Sequence, residues 1–369
     1  MGILRDECFT FASPIFIRFM QVLFGILYHT IGGISSGSFY MPYKKVRGWA
    51  WEVFWLFGGL FSWLFVPLLA AWWTVPEFGS ILAGADRSVW HFTYLMGVLW
   101  GIGGLTYGLG VRYLGMSLGN SIVLGFCSAF GALVPSVYYA FYPVEGKTDI
   151  LRMAQHPGGQ LVLLGVFLCI AGIAVTGRAG MMKEKELTAE QKTESVREFH
   201  LIKGLFIAIV SGILSAFFNF GIEGGKPLAA TAVEKGADPL FQNNVTYVVL
   251  LWGGLTTNFI WCCSLMLKNR TWGDVVKPGM PNLLNASYSA LAGTLWFLQF
   301  FFYGMGESKL GNGASSWILH MATIILTANA WGWYLKEWRN VSQRTFNTFL
   351  LGLGMIIASI VLVGTGNSI

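Results

Sequence analysis

Two histidines sit deep inside long apolar runs: His29 in GILYHTIGGISSGSF and His320 in SSWILHMATIIL. An imidazole titrates near neutral pH, so it can take up and release a proton within a working cycle. An ionisable ring at membrane depth is costly and needs a partner or a cavity. After His29 come Gly33, Ser36 and Tyr40, in steps of four, three and four. That spacing places all four on one helical face. A ring, a hydroxyl and a phenol beside a glycine groove suit a hydroxyl-rich ligand, although close packing of helices through Gly and Ser gives the same stripe. His320 shares a face with Ser316, Thr323 and Thr327. Here a neutral packing histidine is the alternative to a proton site.

A third stripe runs Trp296, Gln299, Tyr303, Glu307. Gln299 can donate and accept hydrogen bonds, and Trp296 can stack on the apolar face of a pyranose. Most of the 16 tryptophans must nevertheless pack or anchor at the membrane interface. Glu307 falls near that interface beside Lys309. Ser211, Ser215, Asn219 and Glu223 step by four, with Asn219 as a hydroxyl partner and Glu223 facing Lys226 as a surface pair. Ser117, Asn120, Ser121 and Ser128 either line a cavity or pack. Glu52 follows Lys44, Lys45 and Arg47 closely, which fits a cytoplasmic ion pair or a proton site.

Other chemistry is disfavoured. No phosphate-binding GxxxxGK[ST] is present, so ATP is not expected to drive the protein. Gly101, Gly103 and Gly104 lie in an apolar span rather than at a strand-to-helix turn, against dinucleotide binding. Cys127, Cys169, Cys262 and Cys263 lie in apolar stretches, without metal-ligand spacing to histidine. No metal and no cofactor are expected, no nucleophile–base pair suggests an enzyme, and a proton is the coupling ion.

The elements that must hold these stripes are membrane helices. Only 11% of the 369 residues are charged, against roughly 25% in soluble domains. A spanning helix needs about 20 mainly apolar residues. Ten stretches qualify: 21–43, 49–74, 88–111, 115–142 and 159–177, then 203–222, 242–267, 283–306, 310–335 and 345–365. Residues 1–20 read as a lead-in, 178–202 as a polar cytoplasmic linker, and 21–177 and 203–369 as two five-helix repeats. LWGIGGLTYGLGVRYLG (Leu99 to Gly115) and LWFLQFFFYGMGESKLG (Leu295 to Gly311) match at seven of seventeen positions, beyond chance. Five is odd, so the second repeat enters from the opposite side, as in alternating-access carriers. The expected fold is therefore all-α, an integral membrane protein of ten transmembrane helices in two inverted five-helix repeats.

Sixteen of the 24 lysines and arginines fall on the side holding the links after the odd-numbered spans. The positive-inside rule makes that side cytoplasmic and both termini periplasmic. The net charge of +6 is loop charge of this kind, and no nucleic-acid partner is expected.

SFYMPYKKVRGWAWEVFW, LWGIGGLTYGLGVRYLGMSLG, LWFLQFFFYGMG, SSWILHM and LKEW, in that order from about Leu23 to Ile360, resemble the L-rhamnose–proton symporter family of the drug/metabolite transporter superfamily. The resemblance implies import of L-rhamnose or a related deoxy sugar with a proton across a bacterial inner membrane, by a monomer or homodimer. It carries functional weight to Lys44, Lys45, Tyr107, Arg112, Gln299, Tyr303, His29 and His320. The chain departs from the family at ESKLGNGA, where an aspartate is expected near Gly313–Ser315. The expected sugar-binding set is His29, Ser36, Tyr40, Trp100, Tyr107, Asn120, Asn219, Trp296, Gln299, Tyr303 and Trp317. The expected proton-coupling set is His29, His320 and Glu52. The alternatives are a drug or metabolite exporter of the same superfamily and a non-transporting membrane sugar sensor.

Overall fold

The computed structural model describes residues 14–141, 149–188, 199–310 and 313–366. Most of the lead-in and the centre of the linker lie outside them. The described chain is helical, without strands among the described residues. Its long helices are α1 (Pro14–Ser38), α2 (Trp51–Thr74), α3 (Arg87–Gly115), α4 (117–141), α5 (Pro157–Glu186), α6 (Leu201–Glu234), α7 (Asn244–Asn269), α8 (Asn282–Leu310), α9 (Gly313–Tyr334) and α10 (Gln343–Gly366). Each overlaps an expected span.

Local irregularities have identifiable causes. A π-helical turn, Phe61–Phe65, interrupts α2. It immediately precedes Pro67, which lacks an N–H and crowds the carbonyl four residues back. At Gly115 the backbone leaves the helix (φ 86, ψ 171), a conformation open essentially to glycine, and this separates α3 from α4. α6 breaks at Ala216 and again at Gly225, before Pro227. α5 runs on to Glu186, into the stretch read as linker.

Among the described residues, seven helices are long and apolar enough to cross a membrane: α1, α2, α3, α5, α6, α7 and α10. The other three, α4, α8 and α9, carry their polar residues inward: Asn120, Ser121, Asn285, Ser289, Gln299, Ser316 and His320 are all buried. Outward faces are apolar instead, with Trp72, Trp73, Phe206 and Leu283 exposed, as lipid contact permits and water does not.

The N- and C-terminal halves interlock. α1 lies along α8 and α9, α6 along α3 and α4, and α5 along α10. Two crossings bring backbones into contact. A Cβ at Gly293 of α8 would lie 2.0 Å from the Gly58 carbonyl oxygen of α2, and one at Gly97 of α3 would lie 1.9 Å from that of Leu250 on α7. Both crossings need a residue without a side chain.

Candidate functional site

A cavity of about 70 Å³ lies in the protein interior between α1, α2, α3, α4, α6, α8 and α9. Its walls are mostly aromatic. Trp100 and Trp296 sit 5.3 Å apart between ring centroids, and Trp63 meets both edge-on, at 6.3 and 6.1 Å. Phe218 stacks on Phe300 at 4.0 Å and meets Trp100 edge-on at 5.2 Å. Polar groups enter at a few points: Ser36 from α1, Tyr107 from α3 and Gln299 from α8. Gln299 Nε2 donates to the Trp296 carbonyl (2.9 Å), which fixes the amide against the wall. The Tyr107 hydroxyl donates to Asn120 Oδ1. Flat aromatic faces with sparse, oriented polar groups are what a ligand with one apolar and one hydroxyl-bearing surface needs.

The structure brings Ser36, Trp100, Tyr107, Trp296, Gln299 and Trp317 of the expected sugar-binding set to this wall. Asn120 stands behind Tyr107. Asn219 follows the wall residue Phe218 and donates to the Gly131 carbonyl at 3.4 Å. Tyr40 packs on Phe39 and Tyr43 instead, outside the lining. Lys44, Lys45 and Arg112 are exposed and off the wall, with the Lys45 ammonium 5.6 Å from the Tyr288 ring centroid.

Sequence reasoning missed the contribution of α2. Trp55 and Trp63 line the cavity, and Trp55 Nε1 donates to the fully buried Asn258 of α7 (3.0 Å). Asn258 Nδ2 in turn donates to Gly254 O (2.8 Å) and Gly101 O (3.3 Å), tying α7 to α3. The signal was present: Trp55 and Trp63 are eight apart, on one helical face, and Asn258 interrupts an apolar run. Tryptophan abundance hid the first and its short flanks the second.

His29 and His320 adjoin the cavity without lining it. Both are fully buried, with ring centroids 5.7 Å apart. Tyr303 closes the triangle at 5.4 Å from each. Tyr303 also meets Trp317 of the cavity wall edge-on at 5.9 Å, so cluster and cavity share a boundary. The Thr323 hydroxyl contacts the backbone carbonyls of His320 (2.8 Å) and His29 (3.1 Å), bridging α9 to α1. Among the described residues, neither ring nitrogen of either histidine has a hydrogen-bond partner. Buried polar atoms are nearly always paired, so two such rings meeting edge-on are a marked exception.

Glu52 stands apart from both features. Its Oε1 accepts from Asn269 Nδ2 and Thr271 Oγ1, each at 2.9 Å, joining the start of α2 to the end of α7. Among the described residues no group of His, Cys, Asp and Glu could hold a metal ion.

The chain is similar to known proteins over nearly its full length. A family described as L-rhamnose-proton symport protein matches residues 19–369. An L-rhamnose-proton symporter of Pectobacterium carotovorum is 35% identical, covering 94% of this chain and 98% of its own length. Proteins of the same name from Klebsiella pneumoniae (35%) and Yersinia pestis (34%) match over the same shares of both chains.

Proposed function

The chain belongs to the L-rhamnose-proton symport protein family, and on that premise we propose that it imports L-rhamnose, or a closely related deoxy sugar, together with a proton. The observation that carries this reading is the aromatic cavity sharing a wall with a buried histidine pair. The sugar stacks its apolar face on Trp100 or Trp296 and hydrogen-bonds to Gln299, Ser36 and the Tyr107–Asn120 pair. A drug exporter would be expected to have a larger and more purely apolar chamber than this one, into which Ser36, Tyr107 and Gln299 project.

One proton serves the histidine pair. Two positive rings 5.7 Å apart would repel by about 3 kcal/mol even at an effective dielectric of about 20. Moving one elementary charge inward gains about 2.3 kcal/mol per 100 mV, which supports roughly fifty-fold accumulation of sugar.

The carrier works by alternating access between two inverted five-helix repeats, ten spanning helices in all. Packing supports this. α1 against α8 and α9 has its counterpart in α6 against α3 and α4, and the α2–α8 crossing has its counterpart in α7–α3. Gly97 and Gly293, at those two crossings, have the same spacing as Leu99 and Leu295 of the internal repeat. The basic charge of the links after the odd-numbered spans supports a periplasmic location for both termini.

Purified protein in proteoliposomes tests the assignment. An inward pH gradient is expected to drive uptake of radiolabelled L-rhamnose in preference to other sugars, and His29→Ala and His320→Ala to abolish that drive. Unchanged gradient-driven uptake in both variants would remove the histidines from the coupling site.

A further inference from the structure

Glu307 lies one helical turn beyond Tyr303 on α8, on the side of the histidine cluster towards the α6–α7 connection. It is partly buried, and its Oε2 accepts from Asn243 Nδ2 at 2.8 Å. The neighbouring Gly306 packs directly on His29: a Cβ there would sit 2.6 Å from His29 Nε2. Beyond Glu307, Glu223 and Lys226 of α6 form an ion pair at 2.7 Å, with side chains 26% and 48% exposed. A carboxylate thus stands between a solvent-reaching ion pair and two fully buried rings whose nitrogens have no partners among the described residues.

We propose that Glu307 is the proton-loading carboxylate of the carrier, taking a proton from the outer solution and handing it to the His29–Tyr303–His320 cluster. The inference rests on the transport reading above and adds the entry route to it. In the transfer, the O–H bond of the Glu307 carboxylic acid breaks and an N–H bond forms on one imidazole. Carboxylate and imidazolium remain, and the carboxylate is reloaded from external water. Tyr303 lies between the two sites, with its hydroxyl within electrostatic reach of Glu307. The other groups facing Glu307 are Glu223 and Lys226 from α6 and Tyr247 from α7, while His29 of α1 and His320 of α9 meet it through Tyr303, whose ring touches both. Lys309 lies on its own helix, and Asp238 is turned to its own loop, accepting from Leu240 N. Glu223 opposes the charged carboxylate and Lys226 favours it, so the ion pair leaves the site close to electrically balanced.

Two transport modes separate this role from sugar binding. Counterflow exchanges labelled for unlabelled sugar without net proton movement, whereas accumulation requires the proton. Glu307→Gln in proteoliposomes is expected to keep L-rhamnose counterflow near the wild-type rate. Its accumulation ratio should fall from roughly fifty-fold at 100 mV towards one. Glu307→Asp should recover part of the accumulation and shift its pH profile. Wild-type accumulation in Glu307→Gln would overturn the proposal. So would equal loss of counterflow and accumulation, which would make Glu307 a sugar-binding or folding residue. Counterflow by the wild-type protein reports separately on the sugar assignment.

Discussion

The histidine cluster beside the cavity and the node around Lys183 and Glu337 are both buried, and both join the N-terminal half of the chain to the C-terminal half. They treat their polar atoms in opposite ways. Lys183 of α5 donates to the main-chain oxygen of Glu337, in the link between α9 and α10, and lies 4.9 Å from the Trp338 ring centroid. The Glu337 carboxylate accepts from the Ser117 amide at the start of α4 (2.9 Å). Lys183 and Glu337 are 3% and 2% exposed. At the node, charge is buried but anchored. At the cluster, His29 and His320 are buried with their ring nitrogens unpaired. Pairing at the node favours one rigid arrangement. Leaving two titratable rings without fixed partners lets a proton arrive and depart without breaking a bond that the fold depends on.

That contrast is open to direct attack. The largest effect is expected at the node. Lys183→Ala removes the buried cation beside Glu337, and it should destabilise the protein by about 3–5 kcal/mol, seen as a marked drop in melting temperature in detergent. A mild effect there would mean that the node is wetter than its burial indicates. Gly115→Ala, at the break two residues before Ser117, forces a side chain into a region that glycine alone adopts readily. It should cost about 1–3 kcal/mol in the same measurement.

At the cluster the expectation is reversed, with function moving more than stability. Gly306→Ala places a methyl against His29 Nε2. Overpacking of this kind costs about 1–3 kcal/mol, and the displaced ring should shift the pH profile of uptake, which neither node variant is expected to do. Gln299→Ala leaves the rings in place and removes one sugar contact. It should weaken L-rhamnose binding by about tenfold, measured as the sugar concentration for half-maximal counterflow, with the coupling to protons intact.

The smallest effect belongs to the surface. Glu186 accepts from Thr345 Oγ1 (2.5 Å), Ser342 N (2.6 Å) and Ser342 Oγ (2.7 Å) at the start of α10. The Thr345 hydrogen bond, reinforced by those from Ser342, holds its carboxyl below the ordinary carboxylate range. The stability it contributes is therefore present above the unfolded carboxylate value and is lost as pH falls through the lower folded one. Glu186→Gln should lower the neutral plateau of a melting-temperature profile slightly and flatten its acid limb, so that variant and wild type converge at low pH.

Much of this was legible in the chain. Span length and apolar content located the long helices, since lipid demands both and little else produces them. Helical spacing put His29 with Ser36, and His320 with Thr323, on single faces. The stripe from Trp296 through Gln299 and Tyr303 to Glu307 ran along one face of α8, and the structure sets that face between cavity and histidines. Periodicity within one helix is a local property, so sequence carries it.

What it could not carry is which faces meet. Trp55 and Trp63 looked like two tryptophans among sixteen until the crossing of α2 with α8 turned them onto the cavity. Lys183 read as linker charge until α5 continued through it and the α9–α10 link folded over it. Glu52 read as an ion-pair or proton residue, and its partners proved to be Asn269 and Thr271, more than two hundred positions away. Likewise, sequence set two histidines at membrane depth, but only the packing of α1, α8 and α9 made them a pair around Tyr303. The hydrophobic effect and backbone hydrogen bonding determine each helix from its own residues. The chemistry of the site depends on distances between helices, which only the close-packed tertiary fold sets.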